Sequence, residues 1–268
     1  MRYVAQNRFL RSTHLIPLVG GSGQQIVRRL QSLYQHGFLD RPRCQVDRYR
    51  AGSQPMVYGI GNRGAKLLVD QCGVSRRKVD WMAKNHTVTR YFLEHTLAVA
   101  DVAIAFELSC RKRPNIEVHA DETDTKWKVS LKQHGSATHF PVIPDKVFRI
   151  DFRDKPSSTI YVLLEVDRAT MPVVRQTFKQ TSVYRKFVGY QQIWREKLHE
   201  KFGMKRIRVL TVTTTPQRVT NLIEAAQRLP ERTPGLFLVG HRSDFTPTRD
   251  PFRARLVDGS GEEVSLVE

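Results

Sequence analysis

Acidic residues are scarce in this sequence, above all near its start: residues 1–90 hold four Asp or Glu against sixteen Lys or Arg, a net +12. Cysteine is scarcer still. Cys44, Cys72 and Cys110 are scattered, odd in number and outside CxxC spacing, which excludes a disulfide framework or a zinc site. The nine histidines include no HxxxH pair, and His134 and His139 read as loop residues exposed to solvent rather than bound to metal. No apolar run approaches a membrane span and the N-terminus lacks a signal-peptide pattern, so a soluble cytoplasmic protein is expected. Val19-Gly20-Gly21-Ser22-Gly23 lacks the Lys-Ser/Thr ending of a phosphate-binding loop, and its glycines read as a turn between helices. There is no internal repeat and no hydrolase-triad pattern.

What is present is length and positive charge. With 268 residues the chain can build two domains, each with its own core, and its formal charge is +18. A field of that sign attracts polyanions. Nucleic acid fits best, since an anionic membrane surface calls for an amphipathic anchor as well. A merely soluble basic protein would not need the charge concentrated in one third of the chain.

Arg2 to Leu10 reads as a short helix. Ser12 can cap a second helix beginning at Thr13, which Pro17 and Gly20-Gly21 end early. Ser22 then caps a third, Gly23 to His36, closed by Gly37 at C′. Its apolar stripe is Ile26, Val27, Leu30, Leu33 and Tyr34. Gln25, Arg28, Arg29 and Ser32 recur at i, i+3, i+4 and i+7 on the opposite face. Gln and Arg suit the hydrogen-bonding edges of adenine and guanine when a helix enters the major groove. A basic segment follows with Arg41, Arg43, Arg48 and Arg50, a Gly52-Ser53 turn and strand-like Met56-Val57-Tyr58. Two strands around a basic loop after a capped helix predict a winged helix-turn-helix whose wing arginines clasp phosphate. The plainer reading of Arg28 and Arg29 is a solvated helix face, but helix, wing and local charge agree on DNA. Asn62 to Cys72 adds an amphipathic helix ended by Gly73, and residues 75–90 form a basic connector.

Tyr91 to Cys110 is apolar on most sides and predicts a largely buried helix carrying Glu94, His95, Asp101 and Glu107, whose acids read as capping or surface groups or, for one of them, as a further member of the carboxylate cluster of the hairpin below. Ile116–Ala120 and Trp127–Leu131 read as strands. Pro144 to Phe152 and Thr159 to Arg168 alternate with period two about a polar break at Arg153 to Ser158, which predicts a β-hairpin centred near 156 with Asp145 opposite Asp167 and Val147 opposite Glu165. One face would be apolar, from Phe148 to Val166. The other would gather Asp145, Glu165 and Asp167 at one end, where three carboxylates repel unless a cation sits between them. A long helix over Val173–Lys201, a strand at Ile207–Val212, a helix at Val219–Leu229 and a strand at Gly235–Val239 complete an α/β sheet sandwiched by helices. Paired strand carboxylates are what Mg²⁺ or Mn²⁺ needs for phosphodiester cleavage, although salt bridges to Lys146, Arg149 or Arg168 would look the same in sequence.

Pro144-Asp145, some twenty residues before Glu165-Val166-Asp167 on an apolar strand, resembles the PD-(D/E)xK signature of restriction-endonuclease-like folds. Lys186-Phe187-Val188-Gly189-Tyr190 is similar to the Q-x-x-x-Y element of the RecB-like branch, with Lys in place of Gln. With Val57-Tyr58, Arg63-Gly64-Ala65-Lys66-Leu67-Leu68 and His95-Thr96-Leu97-Ala98-Val99, the chain over residues 9 to about 240 resembles the replication-relaxation family of plasmid and mobile-element proteins. That resemblance implies DNA binding in plasmid replication, copy control or relaxosome function. Asp167 departs from the nuclease pattern, which expects Lys two residues after Glu165, and Lys186 or Lys179 would have to supply the positive charge from the neighbouring helix.

The expected fold is thus α/β (α+β overall), in four parts. A winged helix-turn-helix covers 1–74, a basic linker 75–90, a nuclease-like domain 91–245 and a tail with a hairpin 246–268. The expected function is sequence-specific binding of double-stranded DNA, with a weakened nuclease domain. Alternatives are a Mg²⁺-dependent endonuclease or nickase, with Asp145, Glu165 and Asp167 as ligands and Lys186 as base or charge stabiliser, and an adaptor that recruits a relaxase or replication protein. A winged helix reading a palindrome suits a homodimer.

Overall fold

A computed structural model describes residues 1–46, 54–79, 82–120, 125–133, 136–154, 159–233 and 235–266. The chain divides into two compact units, Met1–Ile104 and Ala105–Glu268. Secondary structure is mixed, with eight α-helices and twelve strands among the described residues.

The first unit begins with α1 (Arg2–Asn7), β1 (Leu10–Arg11), α2 (Ser12–Val19) and α3 (Gly23–Gln35). It continues with β2 (Leu39–Asp40), β3 (Val57–Ile60), α4 (Asn62–Cys72), α5 (Met82–His86) and the start of α6 (Arg90–Cys110). The strands make an antiparallel sheet in the order β1-β3-β2. Phe9, Val57, Leu93 and Leu97 pack together in its core.

Both caps expected here differ in detail. Ser12 lies inside α2, and Arg11 holds the cap position with its backbone N–H donating to Nδ1 of His14 at 3.3 Å. His14 is buried and fixed from the other side by Asp101, 2.6 Å from its Nε2, so the ring is placed to take over the capping role. Pro17 sits within α2 without ending it. Gly20 and Gly21, at φ 78° and 87°, end it in a conformation that favours glycine. Ser22 occupies the N-cap of α3, but its side chain makes no capping bond.

The second unit holds β4 (Ile116–Ala120), β5 (Trp127–Gln133), β6 (Ser136–Val142), β7 (Lys146–Phe152), β8 (Ile160–Val166) and α7 (Val183–Arg195). After these come β9 (Ile207–Thr213), α8 (Pro216–Gln227), β10 (Phe237–His241), β11 (Leu256–Asp258) and β12 (Glu263–Val264). Seven strands form one mixed sheet, β12-β11-β10-β9-β8-β7-β4, with β8, β9 and β10 parallel. The segment after 245 is therefore part of this sheet through β11 and β12. One face carries Phe148, Ile150, Val162 and Leu164, and Phe106 stacks on it with its ring centroid 4.8 Å from that of Phe148. On the other, Val147, Leu163, Val209 and Val239 pack with Phe187, Tyr190, Ile193 and Leu222 of the helices.

Several sequence expectations are corrected. The β7–β8 hairpin forms, but Val147 faces Leu163 rather than Glu165. Ile150 lies opposite Ile160, so the hairpin is centred on residue 155 rather than 156. The shift is two residues, so every side chain keeps its face. The long helix is shorter than 173–201. Ser182 caps α7 by accepting from Arg185 N–H at 3.1 Å, and the carbonyls of Pro172 and Val173 accept from Val183 and Tyr184. At the other end Lys197 turns left-handed at φ 52°. His139 lies in β6, paired with Ser130, not in a loop, whereas His134 falls outside the described residues.

The β5–β6 hairpin rests on α7 through Gly189. A Cβ there would lie 2.6 Å from Cγ2 of Val142 and 3.1 Å from Cε2 of Phe140. Gly189→Ala gains about 1 kcal/mol of helix propensity but forces an overpacking cost of about 1–3 kcal/mol. A net loss is expected, read as a lower urea midpoint at unchanged m-value. A midpoint that rises would contradict this packing.

Candidate functional site

In the first unit the residues that share the outer face of α3 are all solvent-accessible. Gln25, Arg28, Arg29 and Ser32 are exposed, while Ile26 and Leu30 are buried beneath them. The apolar stripe is narrower than the sequence suggests, because Val27 and Tyr34 are 41% and 38% exposed. No acidic residue precedes Asp40, so nothing on α2 or α3 offsets the arginines. Gln24, Gln31 and Gln35 are exposed on the same helix and extend its amide-rich surface.

The basic residues after α3 separate into three kinds. Arg43 is exposed on a short 3-10 turn, Arg43–Gln45. Arg41 is partly buried. Its guanidinium stacks on the rings of Tyr34 and Tyr58, 4.1 and 5.1 Å from their centroids, and donates to the Tyr58 hydroxyl at 3.1 Å. It therefore ties the end of α3 to β3 instead of facing outward. Arg48 and Arg50 fall outside the described residues. Sequence reasoning missed the role of Arg63, whose Nη1 donates to the carbonyl of His36 at 3.1 Å and so places a cation at the C-terminal end of α3.

In the second unit the carboxylates at the end of β8 are each engaged by a different partner. Glu165 is 6% exposed. Lys186 Nζ donates to its Oε2 and the Tyr190 hydroxyl to its Oε1, both at 2.6 Å. Lys186 and Tyr190 are one turn apart on α7, so a single helix face presents both donors. Asp145 Oδ2 accepts the Val166 N–H at 2.8 Å. Asp167 is gripped by Arg218 of α8, Nε to Oδ2 at 2.8 Å and Nη2 to Oδ1 at 3.1 Å, and accepts a third bond from the Thr213 hydroxyl at 2.7 Å. Lys179 lies outside α7, exposed, and does not reach this cluster.

Burial, then the neighbouring charge of Asp145, pushes the Glu165 carboxyl up to about 7 against the opposing help of Lys186 and Tyr190. Burial works against the Lys186 ammonium, but Glu165 and Asp145 outweigh it and hold its pKa above the ordinary lysine value. Burial, with Glu165 close by, raises the Tyr190 phenol well above its usual range.

The stability consequence follows from proton linkage. A carboxyl whose pKa is higher in the folded than in the unfolded chain contributes fully below about 4.5, and that contribution is lost as pH rises to about 7. The loss is about 3 kcal/mol over the whole range. Urea unfolding of the wild type and Glu165→Gln between pH 5 and 8 reads it directly: the wild type should weaken relative to the variant as pH rises. A pH-independent difference would contradict the assignment.

Among the described residues no three His, Cys, Asp or Glu side chains come together to hold a metal ion. Both oxygens of Glu165 and both of Asp167 already accept from Lys186, Tyr190, Thr213 and Arg218. Glu165, Asp145 and Asp167 all lie close enough to Lys186 to raise its pKa, so the acidic groups at this end of β8 are offset by protein cations, Lys186 on Glu165 and Arg218 on Asp167. Arg218 was missed in the sequence because α8 was placed to begin at Val219. Thr215-Pro216 is a cap followed by a first-turn proline, a signal that puts Arg218 in the opening turn.

A family model described as replication-relaxation matches residues 1–205. The chain belongs to the replication-relaxation family. The matched region of this replication-relaxation protein includes α3 and the Glu165–Lys186–Tyr190 cluster, whereas Arg218 lies beyond it. No curated protein and no solved structure matches the chain significantly. No helix among the described residues is long and apolar enough to cross a membrane.

Proposed function

We propose that this replication-relaxation protein binds a specific duplex DNA site in the replication or relaxation of a plasmid or mobile element, and that its first unit acts as a winged helix. The observation that carries the reading is the outer face of α3, where Gln25, Arg28, Arg29 and Ser32 are exposed together with no carboxylate nearby on α2 or α3. α2 and α3 lead into the antiparallel β2–β3 pair, the order in which a recognition helix precedes a wing. On this reading Gln25, Arg28, Arg29 and Ser32 face base edges, Arg43 contacts phosphate, and Arg41 fixes the helix against β3.

The second unit then serves as a rigid body whose nuclease-like acidic positions are held by protein cations. Lys186 brings to Glu165 the positive charge that Asp167 cannot supply, and no cleavage step is assigned to the cluster. The test compares binding of the wild type and the Arg28→Ala/Arg29→Ala chain to a cognate and a random duplex. Loss of discrimination supports the reading, and retained discrimination refutes it.

A further inference from the structure

The connection between β8 and α7 carries charge that neither α3 nor the Glu165 cluster accounts for. From Arg168 to Thr181 there is no acidic residue and there are three basic ones, Arg168, Arg175 and Lys179. Residues 168–181 form neither helix nor strand, yet they are pinned along their length. Ala169 N–H donates to Asp167 Oδ1 at 3.2 Å and Arg218 Nη2 to the Met171 carbonyl at 2.5 Å. The carbonyls of Pro172 and Val173 accept from the first N–H groups of α7 at 3.2 and 2.9 Å, and that of Lys179 accepts from Arg185 at 3.0 Å. Met171, Val173 and Phe178 turn inward onto the core, while Arg175, Gln176, Thr177, Lys179, Gln180 and Thr181 are exposed.

We infer that this strap is a phosphate-contact surface for a nucleic-acid backbone, a second contact resting on the DNA-binding reading of α3. Cations interleaved with hydroxyl and amide groups are the side chains that take hydrogen bonds to phosphate oxygens. The carboxylates nearest in sequence do not cancel the field, since Glu165 is buried and Asp167 is held by Arg218. An anionic bilayer would want an apolar anchor beside the cations. Val174, 41% exposed, is the one large apolar side chain the strap turns outward. Because the backbone is already fixed, little ordering cost is added on binding.

The strap reads no sequence, and the test exploits that. In the full chain, Arg175→Ala/Lys179→Ala alters only exposed side chains. Binding to cognate and random duplexes is measured across a salt series. The slope of log affinity against log salt should become shallower by about two, with an equal loss on both duplexes on the order of tenfold at low salt. An unchanged slope, or a loss confined to the cognate duplex, overturns the proposal. So does unchanged duplex binding accompanied by lost binding to phosphatidylserine vesicles. The two readings fail separately: if Arg28→Ala/Arg29→Ala still discriminates while the strap variant loses slope, the α3 reading falls and the strap stands. If the strap variant alone has no effect, only the strap falls.

Discussion

Replacing Arg218 with methionine is expected to destabilise the protein by about 3–5 kcal/mol at neutral pH. Asp167 and Arg218 are 7% and 12% exposed at their side chains, and the guanidinium meets the carboxylate with two donors. Methionine keeps much of the apolar stem and removes the charge, leaving Asp167 buried with the Thr213 hydroxyl and the Ala169 N–H as donors, and the Met171 carbonyl without its donor. Arg218→Met/Asp167→Asn, which removes both charges, should recover most of the loss. Urea unfolding of the two variants measures it. A single-variant cost below about 1 kcal/mol, the range of an exposed ion pair, would contradict the grip described for Asp167.

The second large effect concerns DNA. If Arg28 and Arg29 each make a good base contact worth about 1–3 kcal/mol, Arg28→Ala/Arg29→Ala weakens cognate binding by roughly thirtyfold to ten-thousandfold. Random-duplex binding should fall far less. Both side chains are exposed, so unfolding free energy should stay within about 0.5 kcal/mol of the wild type, which separates lost recognition from lost folding. Equal losses on cognate and random duplexes would show that these arginines act only as phosphate contacts.

Local signals carried much of the architecture. α4 runs over Asn62–Cys72 as its spacing and terminal Gly73 indicate, β4 over Ile116–Ala120, and Phe148, Ile150, Val162 and Leu164 share one face as period two requires. What was not legible depends on contacts distant in sequence. The β7–β8 register shows only in the cross-strand pairing, with Ile150 opposite Ile160. The late start of α7 follows from Pro172 and Val173 folding back to cap it, which no helical periodicity reveals. β6 was missed because Ser136–Val142, with Pro141 inside it, lacks strand composition and is held by pairing with β5. At the site, the one-turn spacing of Lys186 and Tyr190 was readable, but their meeting on Glu165 needed the packing of α7 on β8. The pairing of Asp167 with Arg218 joins residues 51 positions apart and could not be read from either stretch.

The most direct measurement of the central claim is selection of bound duplexes from a random-sequence pool, run in parallel with the wild type and Arg28→Ala/Arg29→Ala. The account predicts that the wild type enriches one recurring site and that the variant, though folded, enriches none. Enrichment of the same site by both chains would contradict it.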